Sequence, residues 1–192
     1  MLWTFNSTLP VTSGITHTTF AGVPLWQWPI EVVVWEYALR ALAPDIKRII
    51  ELGTFHGGLS LYLWLWAVNL GIVYDGYDMA RPSILDTPLG KLTCGEEDIN
   101  SCFHTLDIHG VGQGEILTLL NSDEKILLVC DDGNKRLEVW NFGAALRPGN
   151  YLAVHDWMAE IKPEDIDPSK FAPHLDDITS GIGSLWRFFK RL

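Results

Sequence analysis

The chain has 192 residues, 47% of them hydrophobic and 20% charged, which suits one domain with a single substantial core. That composition excludes a disordered chain, a collagen-like repeat and a disulfide scaffold. Twenty-four acidic residues against 14 basic ones give a net charge of −10, a poor match to a phosphate backbone, so no nucleic-acid partner is expected. Cys94, Cys102 and Cys130 are odd in number and lack C-x-x-C spacing. They read as reduced thiols of a cytoplasmic protein.

Residues 1–28 carry no charge and show no clear period; Thr, Ser, Pro and Trp take the place of a basic signal-peptide start. They are expected to form an arm or lid, with Trp3, Trp26 and Trp28 packing on something. From Pro29 a helical pattern begins, with Ile30, Val33, Val34, Tyr37, Ala38, Ala41 and Leu42 as its apolar stripe. Residues 48–53 predict a buried strand closing on Gly53. Residues 52–74 lack Asp, Glu, Lys and Arg, a length that could span a bilayer. Thr54, His56, the Gly57-Gly58 pair, Asn69 and Gly71 instead predict a turn, a buried helix over 59–68 and a new strand over 72–78. One helix is expected within 83–101, a strand over 102–107 and a helix over 113–120. A strand over 125–131, a helix over 135–146 and a fifth strand over 150–156 follow. The tail, 176–192, supplies one or two last strands with Trp186, Phe188 and Phe189 packing inward.

Five alternations of strand and helix predict an α/β fold with a mainly parallel sheet, residues 29–192 forming the domain behind the arm. Ligands of such sheets bind at the carboxyl ends of the strands. The five ends here are Gly53, Asp78, Asp107, Asp131 and Asp156. Asp is a poor strand residue, and four on one rim point to a polar ligand site more than to four helix caps. The first turn, Glu51-Leu52-Gly53-Thr54-Phe55-His56-Gly57-Gly58, lacks the G-x-G-x-x-G spacing that seats a pyrophosphate. It carries an acid, suited to a cationic or amine-bearing ligand. Asp78 is placed for ribose hydroxyls and Asp107 for an adenine amino group, with Met79 and Ile108 beside them. A ligand with ribose, adenine and an amino acid but no phosphate is S-adenosylmethionine, so Glu51, Gly53, Thr54, Gly57, Asp78, Met79, Asp107 and Ile108 are the candidate cofactor residues.

The Glu51–Gly58 turn resembles the first motif of class I S-adenosylmethionine-dependent methyltransferases, and Tyr77-Asp78 resembles the end of their second strand. Residues 19–29, 49–53, 128–135 and 146–156 resemble the cephalosporin hydroxylase and rhamnosyl O-methyltransferase family; residues 157–192 resemble nothing recognisable. The resemblance implies a Rossmann-like fold with helices on both faces, and O-methyl transfer to a small hydroxylated acceptor such as a sugar or secondary metabolite. It also implies a divalent metal held at the ends of the fourth and fifth strands, here Asp131, His155 and Asp156. The relatives carry Glu-Asp or Asp-Asn at the fifth strand, so His155 departs from the pattern and suits Mn, Fe or Zn better than Mg. Without a metal, His155 is a candidate base. Lys135 and Asp131 complete the candidate catalytic set. Two other readings stay open: a metal-dependent oxidoreductase of the same family, and a non-catalytic scaffold that keeps the fold. No membrane partner is expected; a homo-oligomer is open.

Overall fold

A computed structural model describes residues 3–5, 18–91, 93–94 and 97–192; the side chains of Trp3 and Cys94 lie outside what it describes. Three short strands, β1 (Trp3–Phe5), β2 (Thr18–Phe20) and β3 (Val23–Leu25), make a small antiparallel sheet. Next come α1 (Pro29–Leu42), β4 (Arg48–Leu52), α2 (Gly58–Leu70) and β5 (Val73–Asp78). A two-stranded ribbon, β6 (Thr93–Cys94) and β7 (Glu97–Asp98), precedes β8 (Phe103–Thr105) and α3 (Gln113–Leu120). The chain continues through β9 (Ile126–Cys130), α4 (Lys135–Asn141) and β10 (Tyr151–Val154). It closes with β11 (Phe171–His174), α5 (Asp176–Gly181) and β12 (Arg187–Arg191).

The central sheet has seven strands in the order β11-β12-β10-β9-β4-β5-β8. Strands β10, β9, β4, β5 and β8 run parallel, and β12 is antiparallel to both its neighbours. This is the expected α/β, Rossmann-like architecture. Strand β9 is buried at every residue, as a central parallel strand covered on both faces must be. One core cluster joins α1, α2 and the hairpin of β2 and β3 to the sheet residues Ile49, Leu127, Val129 and Ala153. The other packs Ile116, Leu120, Val139 and Phe142 beneath Ile50, Leu52, Leu128 and Cys130.

Several expectations are revised. The buried stripe of α1 is Glu31, Val34, Trp35, Ala38, Leu39 and Leu42, whereas Val33 and Tyr37 are 49% and 57% exposed. The face is rotated because Trp35 fits against Trp186 and Phe188, and because Glu31 points inward. The expected helix within 83–101 is replaced by 3₁₀ turns at Ser83–Asp86, Pro88–Lys91 and Ile99–Cys102, with the β6–β7 ribbon between them. Pro82, Pro88 and Gly90 break any longer helix there. The helix expected over 135–146 stops at Asn141 and tightens into a 3₁₀ turn at Gly143–Ala145. Helix α2 has 13 residues, and among the described residues no helix is long and apolar enough to cross a membrane.

The described part of the arm is a wall rather than a loose flap. Phe20, Val23 and Leu25 are buried, and Phe20 meets Tyr62 of α2 edge to face. A side chain at Gly58 would run into the backbone of Pro24 and Leu25, so that glycine lets the hairpin sit on the N-terminus of α2.

Candidate functional site

Strand register carries the rim into one row. Leu52 pairs with Tyr77 on one side and Cys130 on the other, Val154 with Cys130, and Asp78 with Thr105. The turns that follow therefore line up as Asp107, Asp78, Gly53, Asp131 and Asp156. Gly53 sits at φ +87°, and an added Cβ would lie 2.5 Å from the backbone of Asp132, so the first turn presses against the loop after β9.

A cavity of about 320 Å³ opens at this edge, within the usual size of a small-molecule site. Its floor is the first turn, with Glu51, Gly53, Thr54 and Gly57; its far wall is Asp131, His155 and Asp156. Trp26, Gln27, Trp28 and Glu31 close the side facing the arm. Trp26, Trp28 and Phe55 remain 46%, 42% and 57% exposed and make an aromatic rim, Trp26 standing edge-on to Phe55. Phe55 (φ 47°) and Asp156 (φ 54°) hold left-handed backbone, a strained geometry for a bulky residue such as Phe.

The structure brings together one part of the expected set. Glu51, Gly53, Thr54 and Gly57 share the cavity with Asp131, His155 and Asp156. Asp78, Met79, Asp107 and Ile108 lie farther along the rim, outside the cavity wall. Asp78 accepts from the N–H groups of Thr54 (2.9 Å) and Phe55 (2.7 Å) on one oxygen and of Ala80 (2.9 Å) on the other. It ties the first turn in place. Asp107 is exposed and accepts from the His109 N–H at 2.9 Å, and Ile108 is buried in the core. The Ile108 side chain is thus unavailable to a ligand. His56 is bonded to Ser83 at 3.2 Å. Trp157, next to Asp156, packs on Phe189 and lines a separate cleft.

Glu51 is fully buried and accepts the hydroxyl of Tyr74. Burial pushes its carboxyl up to about 8, against the opposing effect of the Tyr74 bond and helped by Asp131 and Asp78. Burial thus opposes the charged form, against the expectation of an anion facing a cationic ligand. Lys135 is also revised as a base. Its ammonium lies 2.8 Å from Asp156, 3.2 Å from Glu160 and 3.8 Å from Asp131. Burial, which alone would lower it, is outweighed by these acids, and its pKa lies above the usual lysine range. It acts as a fixed positive charge.

His155 is buried and stacked on Trp186 at 4.6 Å. Its Nδ1 lies 2.9 Å from Asp131 and its Nε2 3.2 Å from Glu31. Burial lowers its pKa, but the Asp131 and Glu31 carboxylates prevail and hold it up at about 10. Gln27 donates to Asp131 at 3.0 Å and accepts from the Trp186 indole at 2.7 Å. Sequence reasoning missed Gln27, Glu31 and Trp186. Only Glu31 left a signal: an acid at i, with Val34, Trp35 and Ala38 at i+3, i+4 and i+7, stands on the buried stripe of α1.

One atom from each of Asp131, His155 and Asp156 lies within 4.8 Å of the other two. Two carboxylates and an imidazole converging on a cavity wall fit a divalent ion of the Mn, Fe or Zn type. Binding through Nδ1 would require that nitrogen to be free of a proton.

No family model and no curated protein matches the chain. Solved structures do. CmcI with Mg and SAM is 16% identical, with a TM-score of 0.60 over 91% of this chain and 76% of that one. The CmcI apo-structure gives 0.64 at the same identity and coverage. MycE methyltransferase from the mycinamycin biosynthetic pathway, in complex with Mg, SAH and mycinamycin VI, is 14% identical. It gives 0.51 over 83% of this chain and 48% of that one. The chain has the class I methyltransferase fold. Its five parallel strands are those expected from the alternation of elements.

Proposed function

We propose that the protein is an S-adenosylmethionine-dependent O-methyltransferase for a small hydroxylated acceptor, assisted by a divalent metal. The observation that supports it most is the cavity itself, with the glycine turn on one side and Asp131, His155 and Asp156 on the other. Gly53, Thr54 and Gly57 would hold the amino-acid end of the cofactor near the uncapped N-terminus of α2, whose first N–H groups favour a carboxylate. Asp78 would shape that turn, as Asp107 shapes the loop after β8. Methyl transfer from a sulfonium depends on alignment of the two partners, which a cavity with fixed walls provides. Asp131, His155 and Asp156 would hold the metal, which when bound lowers the pKa of an acceptor hydroxyl. Because Lys135 is ion-paired and His155 is held between two carboxylates, neither is an open base, and loss of that proton to water would rest on the metal held by Asp131, His155 and Asp156. The rim of Trp26, Trp28 and Phe55 suits the flat or apolar faces of a sugar or aromatic acceptor.

The test is a thermal shift with S-adenosylmethionine, S-adenosylhomocysteine and NAD, each with and without EDTA. A ligand at about 100 times its dissociation constant adds about 2.7 kcal/mol. For a chain of this length that is roughly 5–10 °C. A shift with both adenosyl ligands and none with NAD is expected. No shift with any ligand would move the protein to the scaffold reading; a shift with NAD alone would overturn the methyltransferase, and oxygen consumption would mark the metal-dependent oxidoreductase.

A further inference from the structure

We propose that Glu31 is a positioning residue that fixes which nitrogen of His155 faces the metal, while Gln27 and Lys135 fix the facing oxygens of Asp131 and Asp156. The inference rests on the reading that a divalent ion is held at this wall. Each of the three ligand residues carries two usable atoms, and in each one atom points to the cluster while the other is tied outward. Asp131 places Oδ1 2.9 Å from His155 Nδ1 and gives Oδ2 to Gln27 Nε2 at 3.0 Å. Asp156 places Oδ1 3.6 Å from the same Nδ1 and gives Oδ2 to Lys135 Nζ at 2.8 Å. Lys135 also stands 3.8 Å from Asp131 Oδ1. His155 turns Nδ1 to the two carboxylates and Nε2 to Glu31 Oε1 at 3.2 Å. Two ligands about 2.1 Å from one ion on neighbouring positions stand roughly 3.0–3.4 Å apart. The 2.9 and 3.6 Å separations bracket that range.

Glu31 is fixed independently of His155. It is fully buried, and its carboxylate accepts the N–H groups of Trp28 at 2.8 Å and Leu185 at 3.0 Å. With donors on both oxygens, its carboxylate is set to accept from Nε2. A metal-bound histidine that donates its second ring N–H to a carboxylate is held in one tautomer and one orientation. Trp186, stacked on the ring, blocks a flip that would exchange the two nitrogens. The outward ties come from separate elements: Gln27 from the segment before α1, Glu31 from α1 and Lys135 from α4. The arm and the first helix therefore belong to the metal site, although neither supplies a ligand.

The experiment uses the full chain and Zn²⁺ alone, without S-adenosylmethionine. Nitrogen-15 NMR of histidine-labelled wild type reads which ring nitrogen of His155 is bound. Calorimetry compares Zn²⁺ affinity of wild type and Glu31→Gln, with thermal unfolding as the folding control. The amide of Glu31→Gln must turn its NH₂ either to the Trp28 N–H or to His155 and the Leu185 N–H. The expected result is one Zn²⁺ per chain on Nδ1, with Nε2 still protonated, and binding about tenfold or more weaker in the variant. Zn²⁺ on Nε2, no Zn²⁺ on His155, or equal affinity in a folded Glu31→Gln would each overturn the proposal. If the variant does not fold, the nitrogen assignment in wild type decides alone. Failure here leaves the adenosyl-ligand thermal shift untouched, so the two readings fail separately.

Discussion

The two flanks of the strand-end rim use the same residue type for different work. On the flank of β9 and β10, Asp131 and Asp156 face side chains: His155, Lys135 and Gln27, the last 104 residues away in sequence from its partner. On the flank of β5 and β8, Asp78 and Asp107 face backbone N–H groups: Thr54, Phe55 and Ala80 for the first, His109 for the second. The first pair builds a charged network across three elements. The second pair holds the shape of turns. A strand-end aspartate is therefore either a site group or a brace, and what decides is whether long-range packing brings a side-chain cation to it.

That difference should appear first in stability. Asp131→Ala takes one counter-charge from buried His155, which keeps Glu31, and the outermost of three from buried Lys135, which keeps Asp156 and Glu160, so the loss is expected at the low end of the about 3–5 kcal/mol for breaking a buried ion pair. Thermal unfolding should fall by roughly 6–12 °C. Asp78→Ala removes a half-buried acceptor of three backbone N–H groups and should cost about 1–3 kcal/mol. Its larger effect should be on the ligand. Thr54 lines the cavity and loses its tie, so calorimetry should show S-adenosylmethionine binding weakened about tenfold or more, a loss of about 1.4 kcal/mol. Equal destabilisation by the two variants would erase the distinction between the flanks.

How much of this could be read in the sequence follows the same line. The five parallel strands announced themselves as short runs ending in Gly or Asp, whereas edge strand β11, at Phe171–His174, fell before the tail of 176–192 that was expected to supply the last strands, and Asp176–Gly181 is helical. The first turn was legible from Gly53, Gly57 and Gly58, which the backbone needs for close approach. The grouping of Asp131, His155 and Asp156 was legible because β9 and β10 are neighbours. The polarity of Glu51 was not, since its protonation depends on burial and on Tyr74 from the next strand. Nor were Gln27 and Trp186, 159 residues apart and joined only by folding. The apolar stripe of α1 misled because Val33 and Tyr37 match the helical period on the exposed side, while Glu31 breaks it on the buried side.

Glu51, on the strand between the flanks, offers the smallest and most specific test. Its carboxyl is held near 8 in the folded protein against an ordinary value of 4.5, chiefly by burial. Between those values the native state keeps a proton that the unfolded chain has released, so stability must fall as pH rises. Its contribution is fully present below about pH 4.5 and is lost as pH passes through about 8. Glu138 is raised to about 8 in the same way, so it adds a parallel slope. Glu51→Gln keeps an oxygen for the Tyr74 hydroxyl but has no proton to lose. Urea unfolding should give nearly equal stabilities for wild type and variant at pH 5, and a more stable variant at pH 9. Part of the slope should persist in the variant, because Glu138 still titrates. If the slope is unchanged, Glu51 is already ionised at neutral pH, and it becomes an anion on the cavity floor able to face the positive end of a ligand. If the slope is reduced, recognition at that floor falls to the glycine turn and the N–H groups of α2, and the charge of the site is confined to the flank of β9 and β10.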